Sequence, residues 1–132
     1  MHEILHPRTW KPAIGYANGI AAEGRMVFTG GMVGWNADCL FETDDFVGQT
    51  RQALENIKAV LAEAGARPEH LVRLTWYVTD KREYLADLKG LGAAYKAVLG
   101  RVYPTMALVQ VVALVEDRAK VEIEATAVIP RT

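Results

Sequence analysis

The C-terminal part of the chain constrains the fold most, because two strand-like runs stand there with one short charged segment between them. Residues 120–128 (KVEIEATAV) alternate between polar and apolar side chains, which is typical of a β-strand whose two faces meet different surroundings. Met106–Val115 is apolar on both phases apart from Gln110, which indicates a strand buried on both faces. Because Glu116–Arg118 separates the two runs, the sequence predicts a C-terminal β-hairpin.

An N-terminal β-hairpin is predicted by two further strand-like runs. Tyr16–Ala22 and Arg25–Val33 flank Glu23–Gly24, a pair of residues that favours a tight turn. Gly30 and Gly31 lie near the end of the second run. Glycine in a strand indicates either a bulge or a place where a ligand approaches exposed backbone N–H groups, and both interpretations stay open.

Two amphipathic stretches predict helices, and one strand lies between them. The first helix follows an acidic N-cap at Thr43–Asp45, and the second follows Asp80, which with Glu83 predicts a reciprocal N-terminal cap. Each helix is expected to stop at a glycine. The buried stripes are predicted to hold Phe46, Ala53, Leu54, Ile57, Val60, Leu61 and Ala64 in the first helix, Tyr84, Leu88, Leu91, Tyr95 and Val98 in the second, and Val72, Leu74, Trp76 and Val78 on the strand Leu71–Thr79.

The order hairpin, helix, strand, helix and hairpin predicts an α+β fold of one domain over residues 1–132. A strand–helix–strand step needs a right-handed crossover, so both helices should lie on one face of a mixed β-sheet. The other face would be left uncovered although Met106–Val115 is apolar on both phases. We therefore expect that face to pack against another copy of the chain, which would make the protein a homo-oligomer.

The composition argues against several other functions. A net charge of −1 offers no excess of Lys and Arg for phosphate contacts, so nucleic acid is not an expected partner. No run is long enough to span a membrane and the N-terminus lacks the apolar core of a signal peptide, which predicts a cytoplasmic location. The single cysteine, Cys39, cannot form an internal disulfide. His2, His6 and His70 lie outside any metal-ligand spacing, and neither a metal nor another cofactor is expected.

Six short motifs stand along the chain in a recognisable order. They are Gly15–Tyr16, Met26–Gly31, Gln52–Ile57, Leu74–Asp80, Tyr103–Pro104 and, the most specific of them, VEIEATAV at residues 121–128. In this order and spacing they resemble the RidA/YjgF family, which also carries an older L-PSP endoribonuclease label. The resemblance covers the chain from about Tyr16 to Val128.

The resemblance implies a chorismate-mutase-like fold that assembles into a homotrimer, with three small-molecule clefts between the subunits. Enzymes of the family hydrolyse reactive enamines and imines to keto acids and ammonia. The matching positions imply that Glu122 is catalytic and holds the attacking water, and that Tyr16 and Gly31 bind the substrate. A subunit salt bridge for Glu122 and interface packing for Tyr16 remain the alternatives. Glu124 shares the strand face of Glu122, so the choice between them rests on the alignment alone.

The chain departs from the family pattern where the family binds the substrate carboxylate. In the family an arginine stands two places after the proline that opens the penultimate strand; here that proline is Pro104, so the arginine corresponds to Met106. Methionine neither donates a hydrogen bond nor carries a charge. Together with Trp35, Met106 and Leu108 predict a more apolar substrate-binding pocket, which favours a larger or less anionic substrate. The family cysteine, serine and asparagine correspond to Leu108, Gly30 and Gly92.

Two functions are consistent with these residues. In the first, the protein is an enamine or imine deaminase, a hydrolase, with a changed substrate specificity. In the second, the trimer keeps its cleft but only binds a small molecule or a partner protein, and Met106 favours this alternative. A ribonuclease activity would rest on the older family label alone, because no basic or aromatic-lined surface for nucleic acid is indicated.

Overall fold

The computed structural model describes residues 2–131, and it confirms the α+β class. A mixed sheet of five strands carries the helices on one face, and a two-stranded sheet lies beside it. A short 3-10 helix, Pro68–His70, precedes the fifth strand. The strands are β1 (Glu3–Leu5), β2 (Gly19–Ala21), β3 (Arg25–Phe28), β4 (Met32–Val33), β5 (Leu71–Val78), β6 (Thr105–Gln110) and β7 (Val121–Ile129), and the helices are α1 (Phe46–Glu63), α2 (Lys81–Ala86) and α3 (Leu88–Leu99).

Strand β5 lies inside the larger sheet, between β6 and β7. It runs parallel to β6, with Leu74 opposite Met106, and antiparallel to β7, with Trp76 opposite Ile123. β6 and β7 are therefore not neighbours, and the predicted C-terminal hairpin is wrong. The reason is the crossover through α2 and α3, which places β6 parallel to β5 along one edge of β5. The other edge of β5 is then free to pair with β7.

The segment before β2 and the strand after it lie at opposite edges of the larger sheet. β2 pairs with β1, whereas β3 pairs with β7. Upstream of β2, the Ala17 N–H donates to the Pro104 carbonyl just before β6, at 3.1 Å. The predicted N-terminal hairpin is therefore wrong. The backbone groups of residues 16–22, which were expected to bond to β3, bond instead to β1 and to the edge of the sheet at β6. Gly24 makes the connection with a φ of 145°, and a side chain there would collide with the Ile129 carbonyl.

The alternation along β7 is confirmed. One set of side chains packs beneath α1, while Glu122 and Glu124 lie half-buried on the opposite face. The face of the sheet away from the helices therefore carries two carboxylates. The buried set is Val121, Ile123, Ala125 and Ala127.

The predicted strand Met106–Val115 is wrong beyond Gln110, and burial of its second face against another copy stays a prediction. β6 ends at Gln110, whose side-chain oxygen accepts a hydrogen bond from the Lys81 N–H at 2.8 Å. Beyond this residue the chain leaves the sheet, and Val112 and Val115 are fully exposed. The apolar run thus continues from a strand into a surface connection.

The first helix follows the prediction closely. The Asp45 carboxylate caps α1 by accepting a hydrogen bond from the Gly48 N–H at 2.8 Å. The predicted stripe is buried except for Val60, which is exposed, and Ala64, which lies just beyond the helix. Gln49 is also buried, and it bonds to the backbone of the segment that leads into β7. Across residues 2–131, none of the helices is long and apolar enough to cross a membrane.

The predicted second helix is divided into α2 and α3 at Asp87, whose carboxylate caps the first turn of α3. The reciprocal cap at the start of α2 is not formed. The Asp80 carboxylate accepts from the Arg82 N–H at 2.9 Å, whereas Glu83 forms an ion pair with Lys120 at 2.7 Å. Glu83 therefore joins α2 to the start of β7 instead of capping its own helix.

The buried face of β5 differs from the prediction at one residue. The three later members of the predicted stripe are buried. At the start of the strand the register against β7 shifts between Leu71 and Arg73, as in a β-bulge. Leu71 consequently enters the core, and Val72 lies only half-buried.

Candidate functional site

A cavity of about 390 Å³ lies between edge strand β6 and helices α2 and α3, beside the segment that precedes β2. It brings together three of the predicted binding residues, Tyr16, Met106 and Leu108. Met106 and Leu108 reach it because they lie opposite Leu74 and Trp76 of β5, whose side chains point toward the helices. We refer to this space as the β6 cavity.

Three stacked aromatic rings form the inner wall of the β6 cavity. The Tyr95 ring lies between Trp76, at 6.4 Å between centroids and 18° between planes, and Tyr103, at 5.4 Å and 8°. The Tyr95 hydroxyl donates a hydrogen bond to the Val102 carbonyl. Burial, with a smaller contribution from Tyr103, raises the pKa of Tyr95 far above its ordinary value. The Tyr95 phenol is therefore a fixed, protonated part of the wall.

One hydrogen-bond donor in this wall has no partner. Trp76 is 4% exposed, and its indole Nε1–H makes no hydrogen bond. Leaving a buried donor unpaired costs about 1–3 kcal/mol. Over residues 2–131, the Thr50 hydroxyl is the only other buried side-chain polar atom in this condition. Of the two residues, Trp76 is the one that lines the β6 cavity.

No Asp, Glu, Lys, Arg or His lines the β6 cavity in the described part of the chain. The polar side chains of its lining are aromatic, including the phenols of Tyr16, Tyr84 and Tyr103. Gly92 also lines it, and a side chain at that position would meet open space. An anionic ligand would lose its water in this cavity without gaining an opposite charge.

Glu122 and Gly31 lie on the other face of the sheet. Glu122 stands opposite Tyr77 of β5 and Val33 of β4, out of phase with the buried Ile123. A Cβ atom on Gly31 would collide with the Glu122 carboxylate, so only glycine lets the carboxylate lie against the backbone there. Within one chain, the sheet thus separates the predicted catalytic residue from the β6 cavity.

Gly31 belongs to a break between β3 and β4, both of which pair with β7. Phe28 stands opposite Thr126 and Met32 opposite Ile123, so one strand has an extra residue between these pairs. This is a β-bulge, which is one of the two interpretations that the glycine pair left open. The bulge brings the Gly31 backbone beside Glu122, and a role in contacting a ligand stays a prediction.

A second carboxylate on the same face holds a tyrosine. The Tyr77 hydroxyl donates to Glu124 at 2.8 Å, while the Tyr77 backbone stands opposite Glu122. This hydrogen bond, with smaller contributions from desolvation and from the charges of Glu124 and Glu122, raises the pKa of Tyr77. Sequence reasoning missed this pair, although the phase of β5 places Tyr77 on the face that Glu122 and Glu124 share.

Comparison with known proteins identifies the family. The profile of the family described as Endoribonuclease L-PSP matches residues 7–129. The chain belongs to the RidA/YjgF family. A 2-iminobutanoate/2-iminopropanoate deaminase of Salmonella typhimurium is 35% identical, over 88% of this chain and 89% of the relative. The RutC family protein PM1466 of Pasteurella multocida is 30% identical, over 97% of this chain and 98% of the relative.

Solved RidA/YjgF structures confirm the chorismate-mutase-like fold. YyfB of Yersinia pestis, a Rid family protein, matches with a TM-score of 0.86 at 32% identity, over 97% of this chain and 98% of that one. TdcF of Escherichia coli, solved with bound serine, matches with a TM-score of 0.68 at 33% identity, over 96% and 98%. At similar identity and coverage, the backbone of this RidA/YjgF member follows YyfB more closely than TdcF.

Trp35, a further predicted binding residue of this RidA/YjgF chain, does not line the β6 cavity. Its ring packs against Phe41 at 5.8 Å, and its carbonyl accepts a hydrogen bond from the Asn56 side chain at 2.8 Å. Its role in ligand binding stays a prediction. Cys39 is exposed, and nowhere in residues 2–131 do three His, Cys, Asp or Glu side chains gather as a metal site would require.

Proposed function

We propose that this protein is an enamine or imine deaminase that works as a homotrimer, and that Met106 and Leu108 shift its specificity away from short 2-imino acids. Relatives named 2-iminobutanoate/2-iminopropanoate deaminase support the class of reaction. The observation that carries the proposal is the position of Glu122 and of the uncharged β6 cavity on opposite faces of one sheet.

This separation supports a site shared between subunits. In one chain the sheet keeps Glu122 away from a ligand that contacts Met106. A second copy that packs its uncovered sheet face against the β6 edge of the first would bring the carboxylate to the mouth of the cavity. The site is then complete only in the oligomer, which is the arrangement that the family resemblance implies.

In the proposed reaction, Glu122 of one subunit holds a water molecule for a substrate bound in the β6 cavity of its neighbour. Glu122 accepts a proton as the water oxygen adds to the carbon of the C=N bond, and the proton passes to the nitrogen. The resulting carbinolamine gives its hydroxyl proton to the nitrogen, with Glu122 as the relay, as the C–N bond breaks, so that one water is consumed, a carbonyl forms and one ammonia leaves. Gly31 keeps the carboxylate against the backbone and offers its N–H to the substrate.

Ammonia release from imines generated in the assay tests this reaction, measured above spontaneous hydrolysis. We expect wild type to accelerate the release and Glu122→Gln to lose it by about 100-fold or more, the usual loss for an acid–base residue. Glu124→Gln, on the same strand face, is the matched control and should remain active because glutamine still accepts from Tyr77. Equal rates in wild type and Glu122→Gln would contradict the role of Glu122.

The second candidate function is a binding protein on the same scaffold, and the uncharged lining around Met106 favours it. Such a protein would be stabilised by its ligand without turning it over. A rise in unfolding temperature with a ligand, combined with no ammonia release from any imine tested, would support binding alone. That combination would overturn the deaminase proposal.

A further inference from the structure

We propose that another cavity, which shares Tyr103 with the β6 cavity, binds a zwitterionic amino acid that carries an aliphatic side chain. This cavity measures about 230 Å³ and lies between the β1–β2 sheet, the 3-10 helix Pro68–His70 and the segment that leads into β6. We refer to it as the β1 cavity. The inference does not rest on the deaminase reaction, because Glu122, Gly31 and Met106 do not line this cavity.

Hydrogen bonds tie the walls of the β1 cavity to one another. The His2 imidazole Nε2–H donates to the His70 carbonyl at 3.2 Å, which joins the N-terminal segment to the 3-10 helix. The Ala17 N–H donates to the Pro104 carbonyl at 3.1 Å, which joins the segment before β2 to the segment before β6. The cavity is therefore formed before any ligand arrives, as small-molecule sites usually are.

The apolar part of the lining suits an aliphatic group. Leu71 and Pro104 line the β1 cavity and are almost completely buried. Ile4 and Ile20 stand opposite each other on β1 and β2 and line it as well. Ile4 remains 59% exposed, so part of its apolar surface is open to a ligand. An aliphatic side chain placed here would remove apolar surface from water, which favours binding.

Groups of opposite charge also line the β1 cavity. In the part of the chain that the structure describes, Arg101 forms no ion pair, so its guanidinium can hold a ligand carboxylate through two parallel hydrogen bonds. Glu69 forms an ion pair with Arg67 through one carboxylate oxygen, at 3.2 Å. This pair is exposed and therefore weak, and the second oxygen of Glu69 can accept from a ligand ammonium.

His2 adds a second acceptor for the ammonium. The His70 carbonyl can only accept, so the His2 Nε2 carries the proton and the Nδ1 of the neutral ring is an acceptor. A ligand with a carboxylate alone would meet the like charge of Glu69, and a ligand with an amine alone would meet that of Arg101. A zwitterion gains from both groups, so the lining discriminates against ligands with a single charge.

Four probes separate these features when their binding to the full-length protein is measured by isothermal titration calorimetry, at about pH 8, where an ordinary imidazole is neutral. L-Leucine carries both charges and an aliphatic side chain. 4-Methylpentanoate lacks the ammonium, 3-methylbutylamine lacks the carboxylate, and glycine lacks the side chain. We expect leucine to bind about tenfold or more tightly than each of the others. No binding of leucine, or equally tight binding of any other probe, would overturn the inference.

Two variants connect the probe order to named residues. Arg101→Gln should weaken the binding of leucine and 4-methylpentanoate by about tenfold without weakening that of 3-methylbutylamine. Glu69→Gln should weaken leucine and 3-methylbutylamine without weakening 4-methylpentanoate. Arg51→Gln and Glu55→Gln change exposed residues of α1 outside the cavity and are the matched controls, which should bind leucine as wild type does. All four positions are exposed, so we expect each variant to fold.

The leucine affinity of Arg101→Gln decides where leucine binds. An affinity equal to that of wild type would place leucine elsewhere, for example in the β6 cavity, and would overturn the inference. The deaminase proposal fails separately, because probe binding requires no turnover. Leucine binding that depends on Arg101, in a protein that releases no ammonia from any imine, would end the deaminase proposal alone. Ammonia release without leucine binding would overturn this inference alone.

Discussion

At the scale of single residues, Met106 determines how the β6 cavity treats charge. Met106→Arg would add a guanidinium that can hold a carboxylate through two parallel hydrogen bonds. Each charged hydrogen bond contributes about 1.5–3 kcal/mol, so we expect kcat/KM for short 2-imino acids to rise about tenfold or more. Ammonia release measures the gain, and Met26→Arg on the exposed part of β3 is the control. No gain would mean that Gly30, Leu108 and Gly92 contribute as much as the missing arginine.

His70 gives the stability of the fold a pH dependence. Its ring is buried, and its Nδ1 accepts a hydrogen bond from the Arg67 N–H at 2.9 Å. Desolvation is the main cause that lowers the pKa of His70 below 6.5, while Glu69 opposes the shift. The folded state therefore binds fewer protons than the unfolded state, so this contribution is complete above about pH 6.5 and declines as the pH falls through that value.

Urea denaturation across this pH range checks the contribution of His70. We expect the free energy of unfolding of wild type to fall on acidification, and His70→Asn, which keeps an acceptor near Arg67, to lose most of that slope. His6→Asn changes an exposed histidine and should retain the wild-type slope. A full slope in His70→Asn would assign the pH dependence to another group.

At the scale of elements, features that depend on neighbouring residues were predictable from the sequence, whereas the pairing of strands was not. The alternation along β7 and the Asp45 cap of α1 depend on local sequence, and both are confirmed. β2 pairs with β1 and β6 pairs with β5, and each choice depends on which distant strand has free backbone groups. Hydrophobic periodicity and turn residues do not carry that information, so both hairpins were predicted wrongly. The break at Asp87 was missed because an apolar stripe continues in phase across it.

The candidate site shows the same limit. The family resemblance named Tyr16, Met106 and Leu108, and the structure places them around one cavity. Trp76 and Tyr95 were expected only as core residues, and burial confirms that role. Periodicity cannot distinguish a side chain that fills the core from one that also lines a cavity, because both lie on the apolar face. The cavity wall therefore became visible only in three dimensions.

The two glycines of the β3–β4 bulge offer a matched pair of variants. A methyl group on Gly31 would collide with the Glu122 carboxylate, whereas one on Gly30 would only touch the end of Met32 at 4.0 Å. We expect Gly31→Ala to move the carboxylate and reduce ammonia release by roughly tenfold or more, since small displacements at a reacting centre are costly. Gly30→Ala should keep its activity, and thermal unfolding should show both variants folded. Equal activity in the two would show that the position of Glu122 is not critical.

At the scale of the whole molecule, the proposed shared site predicts complementation between inactive variants. Glu122→Gln would replace the carboxylate with an amide, and Leu108→Glu would place a charge in the β6 cavity. Refolding the two variants together should restore about a quarter of the wild-type activity, because each cleft draws its two walls from different copies. Ammonia release measures it, and mixing the folded variants without refolding is the control. No recovery after joint refolding would show that one chain supplies the whole site.

The position of β7 in the sheet has a consequence for biosynthesis. β7 comes later in the chain than each of its three partners β3, β4 and β5, and Arg25 pairs with Ile129 across most of the sequence. A ribosome that has released everything up to β6 has therefore produced strands that still lack their common neighbour. Contacts between such distant residues form slowly, so the unpaired strands are exposed for a time during synthesis. We therefore expect the growing chain to be most prone to misfolding before β7 becomes available.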